Sequence, residues 1–173
     1  MMINFNEAIF QSNLKSLHDI SYDSANNVHM TSSVRNAVEF DTVKALYLGN
    51  TSLKSCDALL SHSCGHALIE FKNGYIGSST NLEIRIKIAD SLLIISDIKK
   101  VNIVPVAKNE IEFILVYNDT KLTPSQQTIQ QHIAARANQE IIHFGLERYK
   151  GVYFKDVHTY TDTELVNYLN NHT

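Results

Sequence analysis

Two carboxylates and an amine stand close together in the first half of the chain, in a pattern that suits chemistry at phosphate. Glu70 and Lys72 flank Phe71 at the end of an apolar run, and Asp57 precedes another apolar run. A strand exposes alternate residues on one face, so Glu70 and Lys72 share a face and Phe71 points to the other. Burying an acid and an amine side by side is costly unless they act together.

The three charged side chains converge if Asp57 lies on the strand next to the one that carries Glu70 and Lys72. Two carboxylates hold a hard divalent cation through their oxygen atoms. A lysine beside them orients or deprotonates a water, or stabilises the negative charge that develops on a phosphorane. The pattern therefore predicts metal-assisted hydrolysis of a phosphodiester bond.

Length and composition are those of a globular protein. The chain has 173 residues, 44% of them apolar and 19% charged, which predicts a single domain over 1–173 with a sizeable core. The formal net charge of -3 argues against a strong, generic nucleic-acid binder, which would be basic. It does not exclude a nuclease, because a bound metal and a local basic patch supply positive field.

The sequence predicts a cytoplasmic protein with no membrane partner. The first residues lack a basic segment followed by an apolar core, and no apolar run approaches membrane-spanning length. The chain has two cysteines, Cys56 and Cys64, which imply no disulfide framework. Together with His62 and His66 they match no common structural zinc spacing, so a zinc site is not favoured.

Hydrophobic periodicity and turn residues predict the elements that position these groups. Helices are expected at about 6–17, 33–48, 82–98, 125–144 and 164–169, the last opened by a capping box of Thr161 and Glu164. Strands are expected at about 54–60, 66–72, 102–107, 110–117 and 151–160. The order indicates an α/β (α+β) fold with a mixed central β-sheet flanked by helices.

The succession of a helix, a strand with Asp57, a strand with Glu70 and Lys72, a helix and a strand resembles the core of the PD-(D/E)xK nuclease superfamily. That superfamily includes restriction endonucleases, Holliday-junction resolvases and phage exonucleases. The resemblance covers about residues 33–117 and leaves a helix–strand–helix extension at 118–173. Cys56 stands where the family has a proline before its first acid. The stretch 68–74 also resembles small bacterial or phage proteins.

The resemblance implies a restriction-endonuclease-like core and a divalent metal, Mg²⁺ or Mn²⁺. Asp57 and Glu70 match the family's metal ligands, with the backbone carbonyl of Phe71 as a further ligand. Lys72 matches the residue that positions the attacking hydroxide. The products would carry a 5′-phosphate.

Many members of the superfamily contribute a further acid from the helix before the first strand. Glu39 matches that role, holding a second ion or a metal-bound water, and Asp41 is the reserve. The catalytic residues implied are thus Lys72, Glu70, Asp57 and Glu39.

The function expected is hydrolysis of DNA by a nuclease of restriction, repair or phage-defence type. The alternative is an inactive protein of the same fold that acts as a binding or immunity-type module, which the acidic charge balance favours. A second alternative is that Glu70 and Lys72 form only a surface salt bridge on an edge strand and face solvent. The sequence leaves open DNA against RNA and endo- against exonuclease action. It is compatible with a homodimer.

Further basic and aromatic residues have simpler interpretations. Arg85 and Lys87 follow the motif and would contact phosphates, but a solvated helix face is favoured. Tyr149, Tyr153 and Tyr160 would stack on bases, but packing at the core or its rim is favoured.

Overall fold

A six-stranded mixed β-sheet runs through the protein, with helices on both faces. The computed structural model describes residues 3–123 and 142–172. The strands are β1 (Leu14–Ser16), β2 (Tyr22–Asp23), β3 (Val28–His29), β4 (Asn36–Glu39), β5 (Ala58–His62), β6 (Gly65–Lys72), β7 (Ile111–Tyr117) and β8 (Asp156–Tyr160). The main sheet has the order β1-β4-β5-β6-β7-β8, and β2 pairs with β3 separately. Pairing is antiparallel from β1 to β6 and parallel from β6 to β8.

The helices of the described residues divide between the two faces of this sheet. They are α1 (Ala8–Gln11), α2 (Leu17–Ile20), α3 (Phe40–Leu48), α4 (Ser78–Lys99), α5 (Ile103–Glu110) and α6 (Asp162–Asn171), with short 3-10 turns at Asp119–Lys121 and Glu147–Tyr149. Side chains of α1, α3, α4 and α5 share one buried cluster with Leu68 and Phe113. Side chains of α2 and α6 share the other cluster with Ala67 and Ile69. The predicted α+β class with a mixed central sheet is confirmed.

The strand β6 lies in the middle of the sheet, between β5 and β7. Its residues from Gly65 to Phe71 are all buried. Ile69 and Phe71 belong to the cluster on the α6 face, so alternation places Glu70 and Lys72 on the α4 face. The strands predicted at 66–72 and 110–117 are confirmed as β6 and β7, whereas the strand predicted at 54–60 begins only at Ala58.

The strand predicted at 102–107 is wrong, because α5 occupies this stretch. Ile103 and Ala107 are four residues apart and both buried, so a helix covers its inner side with them. Pro105 lies in the first turn, where its missing N–H leaves no hydrogen bond unmade.

The helix predicted at 33–48 is wrong in its first part. β4 runs to Glu39, and α3 begins only at Phe40. Ala37 and Val38 are both buried, and β4 forms ladders with β1 and β5. The hydrogen bonds that β4 forms with two neighbouring strands favour a strand here, although the apolar residues have helical spacing.

Other predicted boundaries shift for local reasons. The helix predicted at 6–17 is divided into α1, β1 and the start of α2, because Leu14 pairs with Val38 across the sheet. The last strand starts at Asp156 rather than 151, since Gly151 adopts a left-handed φ of 70° in a turn. The capping box of Thr161 and Glu164 is confirmed at the start of α6. The helix predicted at 125–144 falls mostly outside the described residues.

Within 3–123 and 142–172, no helix is long and apolar enough to cross a bilayer, including the 22-residue α4.

Candidate functional site

Asp57 lies beside the end of β6, where three backbone contacts hold it. Its N–H donates to the carbonyl of Ile69 at 3.0 Å, and its own carbonyl accepts the N–H of Phe40 at 2.9 Å. Its Oδ2 accepts the N–H of Phe71 at 2.7 Å. The position of this carboxylate is therefore fixed by β6 and by the start of α3.

The carboxylates of Asp57 and Glu70 converge on one ammonium group, that of Lys87 on α4. Lys87 Nζ lies 3.0 Å from Asp57 Oδ1 and 2.8 and 2.9 Å from Glu70 Oε1 and Oε2. Lys72 Nζ lies 2.9 Å from Glu70 Oε1. Asp57, Glu70 and Lys72 therefore lie close together, and the cation that contacts both carboxylates is the Lys87 ammonium, not the divalent metal that the sequence predicts.

Burial distinguishes this cluster from a surface salt bridge. The side chain of Glu70 is 0% exposed and that of Lys87 is 13% exposed. Glu70 Oε1 is close to both amines but receives no hydrogen bond of good geometry. The alternative of an exposed ion pair on an edge strand is therefore wrong, because β6 is central and Glu70 is fully enclosed.

Burial and mutual repulsion shift the protonation of the two acids. Loss of hydration, followed by the Asp57 charge, raises the pKa of Glu70 from 4.5 to about 7, although Lys87 and Lys72 oppose the shift. Burial also raises the pKa of Asp57, with Lys87 opposing. For Lys87 burial acts to lower the pKa, yet the Glu70 and Asp57 carboxylates raise it above its ordinary value. Lys87 therefore stays charged at neutral pH, whereas Glu70 gains and loses its proton near neutral pH.

Glu39, the predicted helix acid, lies on the opposite face of the sheet. It pairs with Ala58, which pairs with Ile69. Paired residues share a face and Glu70 follows Ile69, so Glu70 must face the other way. The Glu39 carboxylate instead binds Lys15 at 2.8 Å. The structure does not bring Glu39 to the site, and the metal and catalytic roles predicted for it lose their basis.

Asp41, the reserve acid, is closer to the site than Glu39. It lies in the first turn of α3, and its negative charge contributes to the raised pKa of Asp57. It also accepts a hydrogen bond from the Ser55 hydroxyl, and its side chain is 51% exposed. Asp41 therefore adds negative charge at the rim of the site.

Lys87 is the site residue that the sequence interpretation missed. A solvated face was favoured for it, yet its side chain is mostly buried against the two acids. The signal was its spacing: Lys87 follows Ile84 by three residues and precedes Ser91 by four, and both are fully buried. Arg85, the other basic residue of this turn, lies elsewhere, with its guanidinium next to Gly145.

The oxygen atoms present suit a divalent cation. Asp57 and Glu70 supply carboxylates, and the carbonyl of Phe71 faces the Asp57 side because its N–H does so. Among the described residues, no group of three or more His, Cys, Asp or Glu side chains is arranged to hold a metal. Mg²⁺ needs fewer, since it often binds one or two carboxylates and takes waters and phosphates as further ligands. The donor set therefore fits Mg²⁺ or Mn²⁺, with the Lys87 ammonium as a competitor for the same place.

Comparison with known proteins gives no relative that bears on this site. The chain matches no family model, no curated protein and no solved structure.

Proposed function

We propose that this protein is a metal-dependent nuclease with a restriction-endonuclease-like core that hydrolyses phosphodiester bonds in DNA. The observation that carries the proposal is the convergence of Asp57 and Glu70 on one cation, with the Lys72 amine 2.9 Å from Glu70. Glu70 and Lys72 lie near the end of the central strand β6, and Asp57 is hydrogen-bonded to the backbone of that strand. This is the arrangement that the resemblance to the PD-(D/E)xK superfamily implies for Asp57, Glu70 and Lys72.

Each residue has a role in this proposal. Asp57 and Glu70 would hold Mg²⁺ or Mn²⁺, which when bound would supply Lewis-acid chemistry at the phosphate. Lys72 is 19% exposed, so its amine is accessible from solvent and can orient a water and balance negative charge. Lys87 would move from the shared position and remain as a second positive charge beside the phosphate.

A second candidate is a binding module of the same fold without catalytic activity. Lys87 favours it, because its ammonium contacts both carboxylates and, together with Lys72, balances their charge without a metal. The formal net charge of -3 also weakens contact with a polyanion.

Metal binding separates the two candidates. In a thermal melt with Mn²⁺, the nuclease proposal expects a raised Tm for the wild type, because a ligand that binds only the folded state stabilises it by about 2.7 kcal/mol at a concentration 100 times its Kd. E70Q should abolish the rise. K87M should enlarge it, since the competing ammonium is gone. No Mn²⁺ response in either the wild type or K87M would support the binding module.

A nicking assay on supercoiled DNA with Mg²⁺ or Mn²⁺ tests the chemistry. We expect K72M to lose activity about 100-fold or more, since positioned acid–base groups contribute about 10²–10⁴. The matched control is K108M, which removes an exposed lysine of α5 and should leave activity unchanged. Equal activity in wild type and K72M would mean that Lys72 takes no part in the reaction measured, either because the proposed role is wrong or because a contaminating nuclease is being measured.

A further inference from the structure

A groove of about 510 Å³ opens on the outer side of α4, between that helix, α5 and the 3-10 turn at Glu147–Tyr149. Its floor is apolar and includes Ile88 and Leu92. Its walls carry exposed apolar side chains: Leu93 is 61% exposed, Tyr153 42% and Val104 38%. A concave and mostly apolar surface of this kind is typical of small-molecule binding sites.

Two guanidinium groups line the same groove. A Cβ added to Gly145 would lie 3.0 Å from Arg148 Nη2 and 4.0 Å from Arg85 Nη2, so both groups lie against this glycine. Within 3–123 and 142–172 neither arginine forms an ion pair with a carboxylate. Arg85 Nε is buried and has no hydrogen-bond partner in the part of the chain that the structure describes. Two neighbouring cations without an acid are unfavourable, and an anion between them would remove that cost.

We propose that this groove binds an amphipathic carboxylate, an apolar chain or ring that ends in one carboxylate group. The apolar part would lie along Leu92, Leu93 and Val104, and the carboxylate would lie between Arg85 and Arg148. The guanidinium fork matches a planar carboxylate with two parallel hydrogen bonds. The volume lies within the range of small-molecule sites, about 300–1,000 Å³, which are mostly apolar with a few polar groups that fix orientation.

This site is separate from the one around Glu70. Lys87 points from α4 toward the sheet and its acids, whereas Arg85 points toward Gly145. The two residues are two positions apart on one helix, which is about 200° around its axis, so their side chains lie on different sides of the helix. Ligand binding in the groove is therefore expected whether or not the chain cleaves DNA.

Isothermal titration with octanoate and with octan-1-ol tests the proposal. The two share a chain and differ in charge, so the wild type should bind octanoate at least ten-fold more tightly. The double variant R85M/R148M keeps the apolar stems and removes the charges, so the two ligands should bind it equally. Equal binding of both ligands to the wild type, no octanoate binding at millimolar concentration, or an unchanged preference in the double variant would overturn the proposal.

A second pair of variants tests the location. Ala89 lines the groove and is exposed, so A89W should fill the groove without disturbing the core and should abolish octanoate binding. L82W adds the same side chain at an exposed position of α4 outside the groove and should bind octanoate like the wild type. Octanoate binding that survives in A89W would overturn the proposal. So would a wild-type dimer that A89W dissociates in sedimentation, because the groove would then be an interface between copies.

Discussion

Glu70 needs positively charged neighbours, because a fully buried carboxylate is costly unless it is paired with a cation. Lys87 and Lys72 supply that charge from different elements, one from α4 and one from the same strand. Removing one partner of a buried pair leaves the other uncompensated, which is more costly than losing the pair. The side chains that would serve catalysis are therefore also ones whose charges stabilise one another in the folded protein.

The raised pKa of Glu70 gives a pH dependence of stability. Its folded-state pKa is about 7 against an ordinary 4.5, so between these values the folded state binds more protons than the unfolded state. The contribution of Glu70 to the free energy of unfolding therefore falls as the pH rises through this window. We expect the free energy of unfolding of the wild type, minus that of E70Q, to fall by on the order of 3 kcal/mol from pH 4.5 to pH 7.

Urea denaturation at several pH values measures this difference. E147Q is the matched control, because Glu147 is exposed and its replacement should leave the pH profile of the wild type intact. Parallel profiles for wild type and E70Q would mean that Glu70 has an ordinary pKa in the folded protein.

Strand alternation alone was enough to predict which residues of β6 share a face. It placed Glu70 with Lys72 and away from Phe71, as the structure has them. Lys87 was not recognised because a lysine on a helix usually faces water, and only its partners across the core reveal that it is inside. Glu39 was misplaced because the end of β4 lies within a stretch read as a helix, which moved its side chain to the wrong face.

At the scale of elements, the start of β6 depends on a close approach to the end of α5. Gly65 has a left-handed φ of 145°, and a Cβ at this position would lie 2.6 Å from the carbonyl oxygen of Glu110. The next residue, His66, pairs with Ile111 at the start of the parallel β6–β7 ladder. A side chain at position 65 would push the two strands apart where their register begins.

We expect G65A to lower the free energy of unfolding by about 1–3 kcal/mol from backbone conformation alone, with the steric contact adding to it. G74A is the matched control: nothing lies within 4 Å of its added Cβ. Its stability should be unchanged or slightly raised, because alanine restricts the unfolded chain. Chemical denaturation of both variants measures the difference, and equal stabilities would remove the role assigned to Gly65.

The elements predicted well are those whose own pattern is long or unmistakable. α4 has apolar residues at helical spacing from Leu82 to Ile98, and β7 is apolar at every position except Glu112, so neither needs its neighbours to be recognised. Shorter segments are decided by partners that the sequence does not display. β4 has only four residues and is a strand because β1 and β5 flank it. α5 begins with residues typical of a strand, yet it forms a helix that packs against the core.

At the scale of the whole molecule, the distribution of charge matters more than its sum. The chain carries a formal net charge of -3, yet two lysines and two acids at the site balance one another. Association with DNA in the absence of metal is then limited by the acids, because they hold the amines that would otherwise meet phosphates.

We therefore expect D57N/E70Q to bind duplex DNA more tightly than the wild type when EDTA removes metal ions. The variant frees Lys72 and Lys87 from their acids, and two additional phosphate contacts would steepen the dependence of log K on log salt by about 1.8. Fluorescence anisotropy at salt concentrations between about 50 and 200 mM measures both the affinity for DNA and its salt dependence. A circular dichroism melt of each variant establishes that it is folded.

D19N/E147Q is the matched control for this experiment, because it removes two negative charges at exposed positions, and Asp19 lies on α2, on the face of the sheet opposite Glu70. If the gain in affinity came only from net charge, the two double variants would bind DNA alike. A larger gain and a steeper salt dependence for D57N/E70Q would locate the effect at Lys72 and Lys87, which face the two acids. Equal behaviour would mean that DNA does not approach this end of β6, and the proposed nuclease site would lose its substrate.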